Sequence, residues 1–171
     1  RVDVIGCPSM FLRGPELPLD VPASLDPDGP LAVNVSPYVT AMGPVLRENL
    51  RRHRGLTYVA QDIHSLRLLM RGIPLSGDDP LLPLTANHPL LAPGRTAMAV
   101  DLPSWMRELG RQQFSFGTRI HGNIVSLLSG TPAFVLAHDS RTLELARYHL
   151  IPHLRLDQHD PRDLTAEALF A

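Results

Sequence analysis

The chain of 171 residues contains no lysine; all sixteen of its basic residues are arginine. Without lysine there is no P-loop ammonium for a nucleotide phosphate, no Schiff-base amine and no lysine general base. Cysteine is nearly absent as well. Cys7 stands alone, so no intrachain disulfide forms and no multi-cysteine zinc site can be built. A small thiol just before Pro8 reads as a buried packing residue rather than a nucleophile. An excess of charge is lacking too. A formal net charge of -1 at pH 7 provides no broad basic field for nucleic acid and no polybasic footprint for a membrane surface. No apolar run approaches the roughly 20 residues of a membrane-spanning helix. No segment reads as a signal peptide, and there is no internal repeat. These exclusions point to a cytoplasmic protein, at most peripheral to the inner face of a membrane.

What remains is an ordinary globular composition, 44% hydrophobic, long enough for one compact domain with a real core. Short apolar runs alternate with helical periodicity. "VDVIG" (residues 2–6), "LAVNVS" (31–36), "LTYVA" (56–60), "TAMAV" (96–100), "QFSFG" (113–117) and "AFVLAHD" (133–139) read as strands. Between them, helices are predicted over residues 40–54, over "IHSLRLLMRG" ending at Gly72, over "WMRELGR" capped by Ser104, from Ile120 to Leu128, over 142–150 and over the terminal "LTAEALFA". Residues 14–30 read as a linker. Residues 74–94, with five prolines, read as an irregular loop over the surface. Near-continuous apolar strands alternating with helices predict an α/β, Rossmann-like parallel sheet with helices on both faces. In such sheets ligands bind beyond the carboxyl ends of the strands, here after Val35, Phe116 and Ala137.

The most informative stretch is "GTRIHGNIVSLLSGTP" (residues 117–132). Ile120, Ile124, Leu127 and Leu128 recur at helical spacing and form the packing face, and Gly130 and Pro132 end the helix. At its start stand Thr118, Arg119, His121 and Gly122. Free N–H groups and the helix dipole favour an anion there, arginine presents a planar fork for carboxylate or phosphate, and histidine can donate a proton. In a regular helix Arg119 and His121 would be about 200° apart, so they share a ligand only if Arg119 lies in a non-helical turn. The plainer alternative is a surface arginine paired with a carboxylate and a half-buried capping histidine.

Two further stretches fall at strand ends. In "HDSRTLEL" (138–145), Asp139 or Ser140 can cap the next helix. Arg141 then sits where the helix dipole disfavours a cation, which calls for an anion to meet it. In "NVSP" (34–37), Asn34 and Ser36 either line the same crevice or make the turn. In "HLIPH" (149–153) the two histidines are four apart, but Pro152 breaks the helix that would align them; no metal site and no cofactor are expected.

Together "GCPSMF", "FGTRIHGNIVSLLSGTP" and "AHDSRTLELARYHLIP" resemble the polysaccharide pyruvyl transferase family, from the first residues to about Pro152. The resemblance implies one of two Rossmann-like halves of a GT-B-like fold, the C-terminal one, with an active cleft between them. It implies transfer of a pyruvyl group from phosphoenolpyruvate to two hydroxyls of a cell-surface glycan precursor, giving a cyclic ketal. It places the donor's R-x-H motif on Arg119 and His121, with His121 as the expected acid–base group. Thr118, Gly122, Asp139, Ser140, Arg141, Asn34 and Ser36 complete the expected substrate-binding set. Some members carry a further arginine where this chain has Ser36, a role Arg141 can fill. The expected organisation is a strand and linker over 1–13 leading out of a missing N-terminal half, a loop over 14–30, and the Rossmann-like domain over 31–171. The expected partners are the donor, a glycan acceptor, the missing half and a second copy of the chain; the fragment alone is expected to be inactive. The alternatives are a half of a GT-B glycosyltransferase or sugar-nucleotide epimerase, and a non-catalytic anion-binding module.

Overall fold

A computed structural model describes residues 3–14 and 16–171. Six parallel strands form one sheet: β1 (Leu31–Val33), β2 (Leu56–Val59), β3 (Thr96–Ala97), β4 (Phe114–Gly117), β5 (Ala133–Ala137) and β6 (His153–Arg155). Their order is β3-β2-β1-β4-β5-β6. The chain winds outward from β1 in one direction, returns to β4 and winds outward in the other. Two adjacent strands, β1 and β4, therefore send their connections to opposite sides, and a crevice opens beyond their carboxyl ends. Register is set by apolar pairs, with Leu31 opposite both Leu56 and Phe114 and Val33 opposite Tyr58 and Phe116.

Alternate residues of each strand pack on opposite faces, as the two-residue period of a strand requires. Leu31, Val33, Tyr58, Phe114, Phe116 and Leu136 meet one layer, formed by α1 (Met42–Arg52), α2 (Ile63–Arg71) and the short terminal α6 (Ala166–Phe170). On the other face Ala32 and Val59 pack with Leu109 of α3 (Leu102–Leu109) and Val125 of α4 (Ile120–Leu128). Val135 and Ala137 on that face meet Ile124 and Leu127 of α4 and Ala146 of α5 (Ser140–Tyr148). Helix ends follow local chemistry. Gly72 closes α2 in the left-handed region at φ 65°.

Several sequence expectations are corrected. Of "VDVIG", Val2 lies outside the described residues, and positions 3–6 are irregular. Val4 and Ile5 are 75% and 54% exposed. A strand not expected from the sequence, β6, pairs with β5; the proline-flanked "HLIPH" concealed it. The proline-rich segment 74–94 is irregular, with one 3-10 turn at Pro89–Leu91, but it is not merely superficial. Leu75, Leu82, Leu84 and Leu90 are buried in the core, so this loop covers sheet that a helix would otherwise cover. Asp101, not Ser104, caps α3: its Oδ1 accepts the N–H of Ser104 at 2.8 Å. Strand β3 is only two residues long, because the chain leaves the sheet after Ala97.

Candidate functional site

The crevice beyond β1 and β4 is built on a glycine that only this geometry explains. Gly117, the last residue of β4, has φ 139°, and a Cβ there would lie 2.2 Å from the carbonyl oxygen of Asn34. Only glycine allows β4 to approach β1 so closely as it turns toward α4. One turn on, a Cβ at Gly122 would lie 2.1 Å from Asn34 Oδ1. Asn34 is thus enclosed by α4. It is fully buried, donates to Ser115 Oγ at 2.6 Å and accepts from Gln61 Nε2 at 2.8 Å. Ser115 Oγ donates to Asn123 Oδ1 at 3.2 Å, and Asn123 Nδ2 donates to the carbonyl of Gly117 at 3.0 Å. This buried polar network sits under the crevice floor and holds three strand ends in one arrangement.

Above that floor, Thr118 Oγ1 accepts the backbone N–H of Ser36 at 3.0 Å, fixing the turn after β1 to the turn after β4. Arg119 follows with extended backbone, φ -85° and ψ 101°, as the N-cap of α4. It is therefore in the non-helical turn that convergence with His121 requires. Its N–H is spent on the carbonyl of Asn34 at 3.0 Å, and no side chain caps the helix. The side chain, 28% exposed, donates through Nη2 to Asp62 Oδ2 at 2.7 Å. Its Nε is buried and has no acceptor among the described residues. The carboxylate partner of the plainer reading is present, yet it engages only one corner of the fork.

Arg119, His121, Arg141, Thr118, Ser36 and Asp139 line one cavity of about 450 Å³, together with Gln61, Trp105 and His138. Burial first, then the positive charges of Arg141 and Arg119, hold the His121 imidazole below its ordinary pKa. Asp139 turns its carboxylate to α5, where Oδ1 accepts the N–H of Thr142 at 2.7 Å. That bond is the main reason its pKa is lowered. Asp139, rather than Ser140, is the cap. Ser140 lines a separate small cavity with Arg155 and Asp157. Arg141 forms no ion pair among the described residues. Of the sequence-predicted set, then, Ser36, Thr118, Arg119, His121, Asp139 and Arg141 share the cavity. Asn34 and Gly122 lie beneath it as packing partners, and Ser140 faces elsewhere.

Sequence reasoning missed Asp62, Gln61, Trp105 and His138. Gln61 and Asp62 directly follow the strand "LTYVA", so the rule that selected Ser36 and Thr118 pointed to them as well. Asp62 is doubly committed. Its Oδ1 caps α2 through the N–H groups of His64 and Ser65 at 3.0 and 2.8 Å, while Oδ2 holds Arg119. Of the two distant histidines, His149 Nε2 accepts the N–H of Cys7 at 2.7 Å, and His153 Nδ1 lies 2.7 Å from the carbonyl of Ile151. Among the described residues, no helix is long and apolar enough to cross a membrane.

Residues 3–140 match the family model described as polysaccharide pyruvyl transferase. No curated protein matches the chain. Among solved structures the chain is similar to the glycotransferase of kitacinnamycin, with 13% identity and a TM-score of 0.45 over 91% of this chain and 38% of that one. The chain thus spans well under half the length of that structure.

Proposed function

The chain belongs to the polysaccharide pyruvyl transferase family, and from that premise we propose that the Arg119–His121–Arg141 cavity binds phosphoenolpyruvate as the donor of a pyruvyl group. One observation carries the reading. Two guanidiniums and an imidazole line one cavity beside an uncapped helix N-terminus, and one buried guanidinium nitrogen has no acceptor among the described residues. Such a set suits a small ligand carrying both a phosphate and a carboxylate. Trp105 and Thr118 shape the wall.

In the reaction the family implies, the methylene carbon of the enol phosphate gains a proton and its C2 is attacked by a first sugar hydroxyl. A second hydroxyl then attacks C2 as the C2–O bond to phosphate breaks. Two C–O bonds form and one breaks. Of the two hydroxyl protons, one ends on the new methyl group and one on the released phosphate. His121 is the proton carrier, its pKa held below the ordinary histidine value by burial and by the neighbouring cations. Arg119 and Arg141 hold the donor anion and meet the charge that gathers on the departing phosphate. In this reading the chain is the donor-binding half of a larger catalytic unit. The exposed Val4, Ile5, Phe11 and Leu12 form surface for the other half or for a second copy, which sedimentation at increasing concentration would reveal.

The test is ligand-induced stabilisation. Phosphoenolpyruvate should raise the melting temperature by mass action, and Arg119→Ala should remove most of that rise, read against the variant's own unliganded melt. Stabilisation by a sugar nucleotide but not by phosphoenolpyruvate would replace the pyruvyl reading with glycosyl transfer.

A further inference from the structure

His121 and Arg141 line not one cavity but two. A second cavity of about 600 Å³, which Arg119 does not line, is walled by Ser9 of the N-terminal strap and by Glu144, Leu145 and Tyr148 of α5. Its volume falls within the roughly 300–1,000 Å³ of small-molecule sites. The wall is fixed rather than loose. Tyr148 donates its hydroxyl to the carbonyl of Val4, and Cys7 donates its N–H to His149. Gly6 has φ 66°, and a Cβ there would lie 2.4 Å from His149 Nε2, so both the backbone and the close approach of the ring require glycine. The strap is thereby tied to α5 at two points, with the cavity between them.

We infer that this second cavity is the acceptor subsite, taking a neutral pyranose that presents two hydroxyls toward His121. The inference rests on the donor reading above, and the chemistry of the walls supports it. The carboxylate of the first cavity, Asp139, is engaged by Thr142 and His138, whereas Glu144, which lines this one together with Arg141, forms no ion pair among the described residues. A balanced site favours an uncharged polyol over a second anion. The half-exposed Tyr148 ring and Leu145 offer a flat apolar wall for the C–H face of a sugar. Glu144 and Ser9 offer an acceptor and a hydroxyl to its polar edge. Ketal formation requires an acid–base group that meets both substrates, and His121 is the one imidazole lining both cavities.

Saturation-transfer NMR with methyl α-D-glucopyranoside, a neutral pyranoside with a free 4,6-diol, tests the assignment on the intact chain, with phosphoenolpyruvate titrated separately. Ser9→Trp fills the cavity from the strap, and Tyr148→Ala removes its wall. Each should raise the sugar dissociation constant by about tenfold or more. Tyr148→Phe, which keeps the ring but frees the strap, should change it by less than about twofold. Ser9→Trp should leave the affinity for phosphoenolpyruvate unchanged. Absence of saturation transfer to the sugar in the unaltered chain would overturn the inference, as would a sugar affinity indifferent to both Ser9→Trp and Tyr148→Ala. If instead phosphoenolpyruvate binding survives Arg119→Ala while the sugar results hold, the donor reading fails and the polyol subsite stands.

Discussion

Helices α4 and α5 both begin on the same cavity, yet they begin in opposite ways. At α5 the chain supplies its own anion: the Asp139 carboxylate accepts the N–H of Thr142 and satisfies the first turn. At α4 no side chain caps the first turn, and the N-cap is Arg119, a cation where the dipole prefers negative charge. Helices α2 and α3 follow α5, with Asp62 and Asp101 as caps. The difference teaches where to look. A helix start that satisfies itself is complete, whereas one that breaks the local rule beside Arg141, which forms no ion pair among the described residues, is arranged for something external.

The largest expected effect breaks the floor that lets α4 start where it does. Gly117→Ala places a Cβ against the Asn34 backbone at a φ that side chains rarely adopt, and should cost about 3 kcal/mol or more. Gly72→Ala also has positive φ, but nothing lies within 4 Å of its Cβ, so it should cost only about 1–2 kcal/mol. Chemical denaturation of the two variants checks the pair. Equal losses would show that the close β1–β4 approach is not what demands Gly117.

The next effect is on binding. Arg119→Ala should weaken phosphoenolpyruvate by roughly ten- to a hundred-fold, since a charge-assisted bond contributes about 1.5–3 kcal/mol. Arg119→Lys should restore only part of this, because it loses the fork. Titration calorimetry reads both. The mirror-image change at α5 should act on stability instead. Asp139→Ala removes a cap worth about 1 kcal/mol, or about 2–4 °C in melting temperature for a chain of this size. Its effect on anion affinity should be small. A loss of affinity as large as that in Arg119→Ala would erase the distinction between the two helix starts.

The smallest effect is on pH dependence. The folded pKa of His121 lies below its unfolded value, so the unfolded chain binds more protons as pH falls through the ordinary histidine range. Stability contributed by His121 is full above about pH 6.5 and declines as pH drops toward the folded pKa. His88 and His149, lowered chiefly by burial, act in the same direction. A bound anion reverses the charge environment of His121 and favours its protonated form. Sulfate, which does not titrate in this range, should therefore bind several-fold more tightly at pH 5.5 than at pH 7.5. His121→Ala should flatten that profile. A sulfate affinity independent of pH in the unaltered chain would place His121 outside the anion's reach.

Much of the fold was legible because its signals are local. The near-continuous apolar runs at β1, β4 and β5 need no partner to be recognised, and neither does the spacing of Ile120, Ile124 and Leu127. Thr118, Arg119 and His121 were legible as a group because a strand end, a helix start and two cationic side chains fall within a few residues. Errors arose where local and tertiary preferences diverge. Residues 3–6 resemble a strand in composition, but they are irregular and leave Val4 and Ile5 exposed. The prolines at 74–94 announce irregularity and say nothing of the leucines between them that fill the core.

Local sequence dictates the alternation of strand and helix, the lack of lysine and disulfide chemistry, and the unusual charge at the start of α4. Each follows from residue type and short-range spacing, which the chain carries without folding. The fold alone settles that Asp62, fifty-seven positions away, holds one corner of Arg119. It alone decided that Asn34 and Gly122 form the floor rather than the wall, and that Arg141 and His121 stand between two cavities. These are facts about the order β3-β2-β1-β4-β5-β6. Sheet order is settled by which apolar faces bury one another best across the whole domain, and no short window of sequence contains that competition.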